Sequence, residues 1–417
     1  MGQPVPATPP PVGKAALTSL DSTLEPATRQ DLARVARLWI KVKERGNRVV
    51  VVTGSGPNLH EGVTTMLAAL VAAGLVDGII TSSAVVGHEM AGTLERVRRV
   101  EGAKLGLPPQ VLSADGKVEV SLLGALDLER VGRDTVIDLD LYRRMLSASG
   151  NEIIKVAGNL AYPTGLWAER LARHLEPLAK GAGLPLEAVA GLGADPLTML
   201  GACARRGAPC LVSVPQLVGG GQIGLAVGDA ISVSRRSELV AELLAGADLI
   251  VESGLALAQE IHDGPFELFT GHGLWARHEG LPTFSLRDKA LVRIDLDPTI
   301  RQIWEKERQG REVAHSIDQG LPKACHLNLP FRMEMSGFAR LPGSLPLIGD
   351  LGVLWPLLAV KVAKSLGVKP AFVCYKQGFA LGESLRQFIV SQVRPVDPSA
   401  VVQALKKDKT RDGRMRL

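Results

Sequence analysis

Arg48-Val49-Val50-Val51-Val52-Thr53-Gly54-Ser55-Gly56-Pro57-Asn58 decides how the rest of the chain is read. Four consecutive valines show no polar alternation, so they suit a strand buried on both faces, as in a parallel sheet. The run stops at a glycine-containing turn, and ligands of doubly wound sheets sit outside the carboxyl ends of strands. Glycines let the backbone approach an anion closely, and a following helix would present free N–H groups to it. The turn is neither a full G-x-G-x-x-G fingerprint nor a P-loop, because no Gly-Lys-Ser/Thr is present. Gly54, Ser55, Gly56 and Pro57 are therefore candidate contacts to a nucleotide or another anion. The plainer alternative is a tight strand-to-helix turn.

Working outward, Thr28–Glu44 has helical spacing of Leu32, Val35, Ala36, Trp39 and Val42. Beyond the turn, Val63–Ala73 reads as a helix ended by Gly74, Val76–Thr81 as a second strand, and His88–Val100 as a second helix. Strand, glycine turn, helix, strand is a βαβ unit and implies a parallel sheet. Further strands are expected at Cys210–Val214, Ala247–Glu252, Ala290–Asp295 and Pro370–Cys374, and helices at Leu166–Lys180, Pro196–Arg206, Ser237–Ala245 and Leu351–Ser365. The expected fold is a doubly wound, mostly parallel, Rossmann-like α/β sheet. Its division is a disordered Pro-rich tail over 1–26, the first part of the α/β domain over 27–101, an insertion or small subdomain over 102–150, the remainder over 151–395 with a lid-like loop at 262–289, and a basic tail over 396–417.

Composition narrows the function. The 417 residues are 46% hydrophobic but only 4% aromatic, so the core is built from Val, Leu, Ile and Ala. A net charge of +5 is modest for this length and partly sits in the tail, which argues against nucleic-acid binding. No run of about 18 uncharged apolar residues predicts a membrane span. The four cysteines form no C-x-x-C pair and the N-terminus has no secretory pattern, so a cytoplasmic protein is expected. Enzymes of this architecture commonly assemble symmetrically, and a homo-oligomer is expected.

Several residue groups carry possible chemistry. Ser82-Ser83 ends the second strand, beside the glycine turn in a parallel sheet, and His88-Glu89 follows. The pair suits general acid/base work, although a lone histidine is more often structural. Gly219-Gly220-Gly221 after the Cys210 strand is either a ligand-facing loop or merely a flexible one, with Asp229 downstream. Glu260, His262, Asp263, Glu267, His272, His278 and Glu279 match no metal-ligand spacing; they read as a lid, and no metal is expected. Lys289 could meet an anionic substrate or be solvated. Asp295 and Asp297 at a strand end suit ribose hydroxyls or a substrate amine, or simply a helix cap.

With these residues in view, the chain resembles one family. Gly74-Leu75-Val76-Asp77-Gly78-Ile79-Ile80, the small-residue loop and His88-Glu89 are similar to the "G-x-V-D" strand and "G-N-A-L-A-V-H-D" segment of the archaeal and cyanobacterial-type ornithine cyclodeaminase domain, also called LOR/SDH. Ala208-Pro209-Cys210-Leu211-Val212 and Asp229 follow in the family's order. Ala247-Asp248-Leu249-Ile250, Ile294-Asp295-Leu296-Asp297-Pro298 and Gly349-Asp350-Leu351-Gly352-Val353-Leu354 are similar to its "DAD", "VDINP" and "TDVG" stretches. The shared order runs from about Val49 to Leu366. The broader relative is the deoxyhypusine-synthase-like fold.

The resemblance implies a bound NAD that takes a hydride from a small amino acid or amine and returns it, with ammonia elimination or cyclisation between. It implies Gly54, Ser55, Gly56, Ser82, Ser83, Gly220 and Gly221 around the cofactor, with Asp295 or Asp297 near the ribose. His88 would be the acid/base, Glu89 its orienting partner, and Asp229 and Lys289 substrate contacts. A deoxyhypusine-synthase-type aminoalkyl transferase, with Lys289 catalytic, and a non-catalytic nucleotide-binding module are the alternatives. The chain departs from the pattern in having Ser83 for the family's Asn and Glu89 for its Asp, in lacking a separate N-terminal domain, and in an apparent insertion from Pro265 to Lys289.

Overall fold

The computed structural model describes residues 8–10, 12–134, 136–158, 162–254, 286, 288–309, 315, 318–321 and 343–408. Nine strands occur among them: β1 Val49–Thr53, β2 Gly78–Thr81, β3 Leu94–Glu101, β4 Lys117–Ser121, β5 Asn151–Val156, β6 Cys210–Val212, β7 Leu249–Ser253, β8 Ala290–Asp295 and β9 Ser344–Ile348. Six of them form one sheet in the order β6-β2-β1-β7-β8-β9, and every neighbouring pair in it is parallel. The chain lays strands outward on one side of β1, returns, and lays the rest on the other side. In order of appearance within this sheet the strands run 3-2-1-4-5-6, the order of dinucleotide-binding doubly wound folds.

The valine run explains the layering. Every residue of β1 is buried. Val49 and Val51 join the larger core, with Trp39 of the Pro26–Glu44 helix, Met66 of the Val63–Ala72 helix and Trp355 of the Leu351–Ser365 helix. Val50 and Val52 join a second core under the Val233–Ala245 helix. Alternate residues of one strand thus feed opposite layers, as a sheet covered on both faces requires. Trp39 and Trp355 meet edge to face with centroids 6.2 Å apart, and the Trp39 indole donates to the Leu75 carbonyl at 3.1 Å.

Between β2 and β6 the chain builds a second sheet, antiparallel, in the order β4-β3-β5. This corrects the expected helix over His88–Val100: the helix is Ser83–Met90 and Leu94–Glu101 is a strand. Gly92 at φ +102° and Thr93 at φ +70° stop the helix. The stretch over 102–150, expected as an insertion or small subdomain, supplies β4 and the Ala125–Asp134 and Leu139–Ser147 helices. Tyr142 packs with Val100, Leu105 and Val120, and receives the Leu123 amide at 3.0 Å. The expected strand at Pro370–Cys374 forms no ladder, although Phe372 and Val373 are buried. No described helix is long and apolar enough to cross a membrane.

Candidate functional site

The strand order reverses between β1 and β7, and a cavity of about 480 Å³ opens there along the carboxyl edge. Gly54, Ser55, Pro57 and Asn58 after β1, Ser253 and Gly254 at the end of β7, and Asp295 to Pro298 from the end of β8 form its walls. Gly56 has φ +65° and leads into the one-turn helix Pro57–His60, a backbone shape that disfavours any side chain. Asn58 fastens this turn to β7. The Ser253 hydroxyl donates to Asn58 Oδ1 at 2.6 Å, and Asn58 Nδ2 donates to the Ser253 carbonyl at 3.3 Å. The Trp355 indole N–H donates to the same hydroxyl at 2.8 Å, tying the wall of the cavity to the core.

The acidic side of the cavity is a turn that bonds to itself. Asp295 accepts the Asp297 amide at 3.1 Å and faces the Arg293 Nε at 3.4 Å. Asp297 accepts both the amide and the hydroxyl of Thr299, at 2.9 and 2.7 Å. Beneath lies Glu252, the register partner of Arg293 across β7 and β8, at 4.0 Å from its guanidinium. Burial pushes the Glu252 carboxyl up to about 7, against the pull of Arg293.

His88 sits on the other flank of β1. Gly158, at φ +75°, lies so close to Gly87 and His88 that a Cβ there would meet the Gly87 oxygen at 2.6 Å. This contact lets His88 Nδ1 bond the Ala157 carbonyl. A ring donating from Nδ1 keeps Nε2 as an acceptor. Burial, with a smaller contribution from His60, lowers the His88 pKa to about 4. His60 ends the turn that begins at the glycine loop. Burial, then the charges of Arg386 and Lys155, lower its pKa, and its Nδ1 is buried without a hydrogen-bond partner.

Gly54, Ser55, Pro57, Asp295 and Asp297 therefore share the switch-point cavity. Ser82 and Ser83 lie at the end of β2, where Ser82 caps the Ser83–Met90 helix through the Val85 amide and Ser83 donates to the Gln216 carbonyl at 2.8 Å. Gly220 packs there as well: a Cβ on it would lie 2.8 Å from the Ser83 carbonyl. Its lack of a side chain serves helix packing, and Gly221 at φ +61° opens the Gln222–Ala230 helix.

Three expected site residues lie elsewhere. Glu89 is 1% exposed and turned away from His88. Its carboxylate receives the Met199 and Leu200 amides at 2.9 and 3.0 Å, capping the Met199–Arg206 helix together with Thr198. Neighbours on a helix point about 100° apart, so the two side chains of His88-Glu89 serve different partners. Asp229 is exposed; the Lys180 pKa is raised mainly by the Glu176 hydrogen bond, and the Asp229 charge adds the smallest share. Lys289 precedes β8, at the amino edge of the sheet opposite the cavity, and donates to the Ala245 carbonyl at 2.5 Å. Glu260, His262, Asp263, Glu267, His272, His278 and Glu279 lie outside the described residues. The expected contacts stopped at Pro57, although Asn58 closes the same stretch, and sequence reasoning missed His60 and Ser253. The signal for His60 was available: it falls four residues after Gly56, on the first turn beyond the loop.

No protein-family model and no curated protein matches the chain. Among solved structures, the ternary complex of AgrE with ornithine and NAD+ aligns at 15% identity and TM-score 0.40, over 83% of this chain and 34% of AgrE. ArgZ, an arginine dihydrolase from the ornithine-ammonia cycle in Cyanobacteria, aligns at 14% identity and TM-score 0.36, over 82% of this chain and 32% of ArgZ. A conserved putative LOR/SDH protein from Methanococcus maripaludis S2 aligns at 11% identity and TM-score 0.39, over 87% of this chain and 74% of its own. The chain spans about a third of the length of AgrE and ArgZ. Likeness of this degree assigns no chemistry to the chain.

Proposed function

We propose that the switch-point cavity holds NAD and that the protein is an NAD-dependent enzyme acting on a small amino acid or amine, as an ornithine-cyclodeaminase-like lyase. The observation that carries this reading is the coincidence of three features at one place: the 3-2-1-4-5-6 strand order, the reversal between β1 and β7, and the Gly54–Gly56 loop at the mouth of the cavity. Doubly wound sheets bind dinucleotides at this point.

The residues present fit a dinucleotide. Gly56 and Gly254 both have positive φ, so the two rims carry bare backbone where a pyrophosphate needs close approach. The cavity falls in the roughly 300–1,000 Å³ range of small-molecule sites. Asp297 stands at the wall for a ribose hydroxyl. Many dinucleotide folds carry an acid about 20 residues beyond the glycine loop, at the end of the second strand; here the acid at that distance, Asp77, lies before β2 and is bound to Lys43 and the Val49 amide. β2 ends instead in Thr81-Ser82, with the Thr81 hydroxyl buried and unbonded.

Bound NAD supplies a hydride acceptor and donor. The protein's part is to position the substrate and move protons beside it. A neutral His88, held by the Ala157 carbonyl and offering Nε2, is a base that does not need to lose a proton first at neutral pH. A deoxyhypusine-synthase-type transferase would need a lysine by the nicotinamide, and Lys289 lies at the other edge of the sheet. The enzyme is taken to be cytoplasmic and homo-oligomeric. The test is direct. NAD is expected to be released on denaturing the purified protein, or to raise its melting temperature at millimolar concentration. Neither happening would refute the cofactor. Incubation of ornithine with enzyme and NAD, followed by mass spectrometry, is expected to show loss of ammonia.

A further inference from the structure

A second pocket, of about 270 Å³, lies between the small sheet and the Ala380–Gln392 helix. Arg96 and Glu152 face it from β3 and β5, and Gln377, Glu383 and Arg386 from the other side. Unlike the switch-point cavity, it is walled mainly by charged and amide side chains.

The charges in it are unevenly matched. Glu152 is already shared by Arg96 and Arg98, the latter at 2.6 Å. Lys155, next along β5, is held by Glu119 at 2.5 Å. Arg386 is different. Its Nη1 donates to the Gln377 carbonyl at 3.2 Å, while its Nε is buried and has no partner. Among the described residues no carboxylate pairs with it within ion-pair distance. A guanidinium bonds a carboxylate best through two parallel N–H groups, and the Nε–Nη2 edge is one such fork. Burial opposes the Arg386 charge, which Glu61 and Glu383 offset only in part. Arg386 is half-buried, and a donor such as its Nε, shut away from water, is costly unless something pairs with it.

Neighbouring groups suggest what that is. Glu383, exposed at the rim, lies three residues before Arg386 and so on the same face of the helix. It can receive an ammonium while Arg386 receives a carboxylate. The far side of the pocket adjoins the turn that leads away from the glycine loop: the Gln377 amide donates to Glu61 at 2.6 Å, and Glu61 directly follows His60. Arg386 and Lys155 are close enough to His60 to act on its charge, and His60 on that of His88.

We infer that this pocket binds the α-amino and carboxylate groups of a small amino acid, with the carboxylate on Arg386 and the ammonium at Glu383. That the ligand is the substrate rests on the function proposed above; that the pocket takes a zwitterion rests on the pocket alone.

The experiment is calorimetric titration of the full chain, without NAD, with L-ornithine, a panel of other L-α-amino acids, and putrescine, which is ornithine without its carboxylate. At least one amino acid is expected to bind, and loss of the carboxylate is expected to weaken binding by about tenfold or more. Arg386→Gln is expected to weaken the amino acid by a similar factor while leaving NAD binding unchanged. No amino acid binding at millimolar concentration overturns the inference, as does putrescine binding as tightly as ornithine or Arg386→Gln binding like wild type. Should Arg386→Gln fail to fold by circular dichroism, the comparison of amino acids with amines on the wild-type chain decides alone. Amino acid binding without NAD binding sustains the pocket and refutes the cofactor; NAD binding without amino acid binding does the reverse.

Discussion

Glu89 offers the sharpest separation of a structural from a catalytic role. It is 1% exposed and its carboxyl is pushed by burial up to about 7, despite the two amides that favour the anion. In the unfolded chain it would titrate near 4.5. A folded-state pKa raised above the unfolded one means that the neutral form is the better accommodated. The associated stability is fully present below the unfolded value and is lost as pH rises through about 7. With 1.36 kcal/mol per unit, the loss integrated from pH 5 to pH 8 is about 2 kcal/mol. Glu89→Gln has no such titration. Its single acceptor oxygen leaves one of the Met199 and Leu200 amides unbonded, a pH-independent cost of about 1 kcal/mol. The assay is urea denaturation of both proteins across this pH range. The wild-type advantage should shrink, and then reverse, by about 2 kcal/mol in all. Parallel stability curves would refute the reasoning. Turnover per folded molecule should survive the substitution, because the carboxylate does not touch His88.

Other substitutions test the site from different sides. Gly56→Val forces a β-branched residue to φ +65°, so NAD affinity should fall and stability drop by about 1–2 kcal/mol in thermal melts. His88→Gln should fold and bind NAD but lose turnover. Because the folded pKa of His88 is depressed to about 4, the stability it contributes is present above pH 6.5 and fades as pH falls toward 4, so the gap between wild type and variant should narrow in acid. Trp355→Phe removes the N–H bonded to Ser253 and should weaken NAD binding, read by titration, with about 1 kcal/mol lost in folding. Arg236→Met leaves Glu187, fully buried beside it, without its cation, and should destabilise the chain by roughly 3–5 kcal/mol in urea.

The parts of this architecture that could be read from sequence are those where one physical effect dominates. Four valines in a row have no reading but a strand covered on both faces, and Leu351–Ser365 was expected with the bounds it has. Where two effects compete, the reading failed. Leu94, Val97 and Val100 recur at helical spacing, yet the left-handed turn at Gly92-Thr93 breaks the helix and cross-strand ion pairs such as Arg98–Glu152 hold a ladder. β9 was hidden by Pro346, which argues against a central strand; β9 is an edge strand, where the missing N–H costs nothing. In the site, the glycine loop and Asp295-Asp297 were legible because strand ends in such sheets face ligands. Glu89 was misplaced because adjacency in sequence is not adjacency on a helix. Arg386 carries no local signal at all: only folding sets it beside β3 and β5.

The turn Pro57–His60 is a party wall. Asn58 lines one cavity, while Glu61, directly after the turn, holds the backbone amide of Gln377 at the edge of the other. A guest that presses on this wall from either room moves the plaster in both. By reciprocity, whatever factor the nucleotide imposes on the affinity for the smaller guest, the smaller guest imposes on the nucleotide. Four residues would then suffice to make the two occupants aware of each other without ever touching.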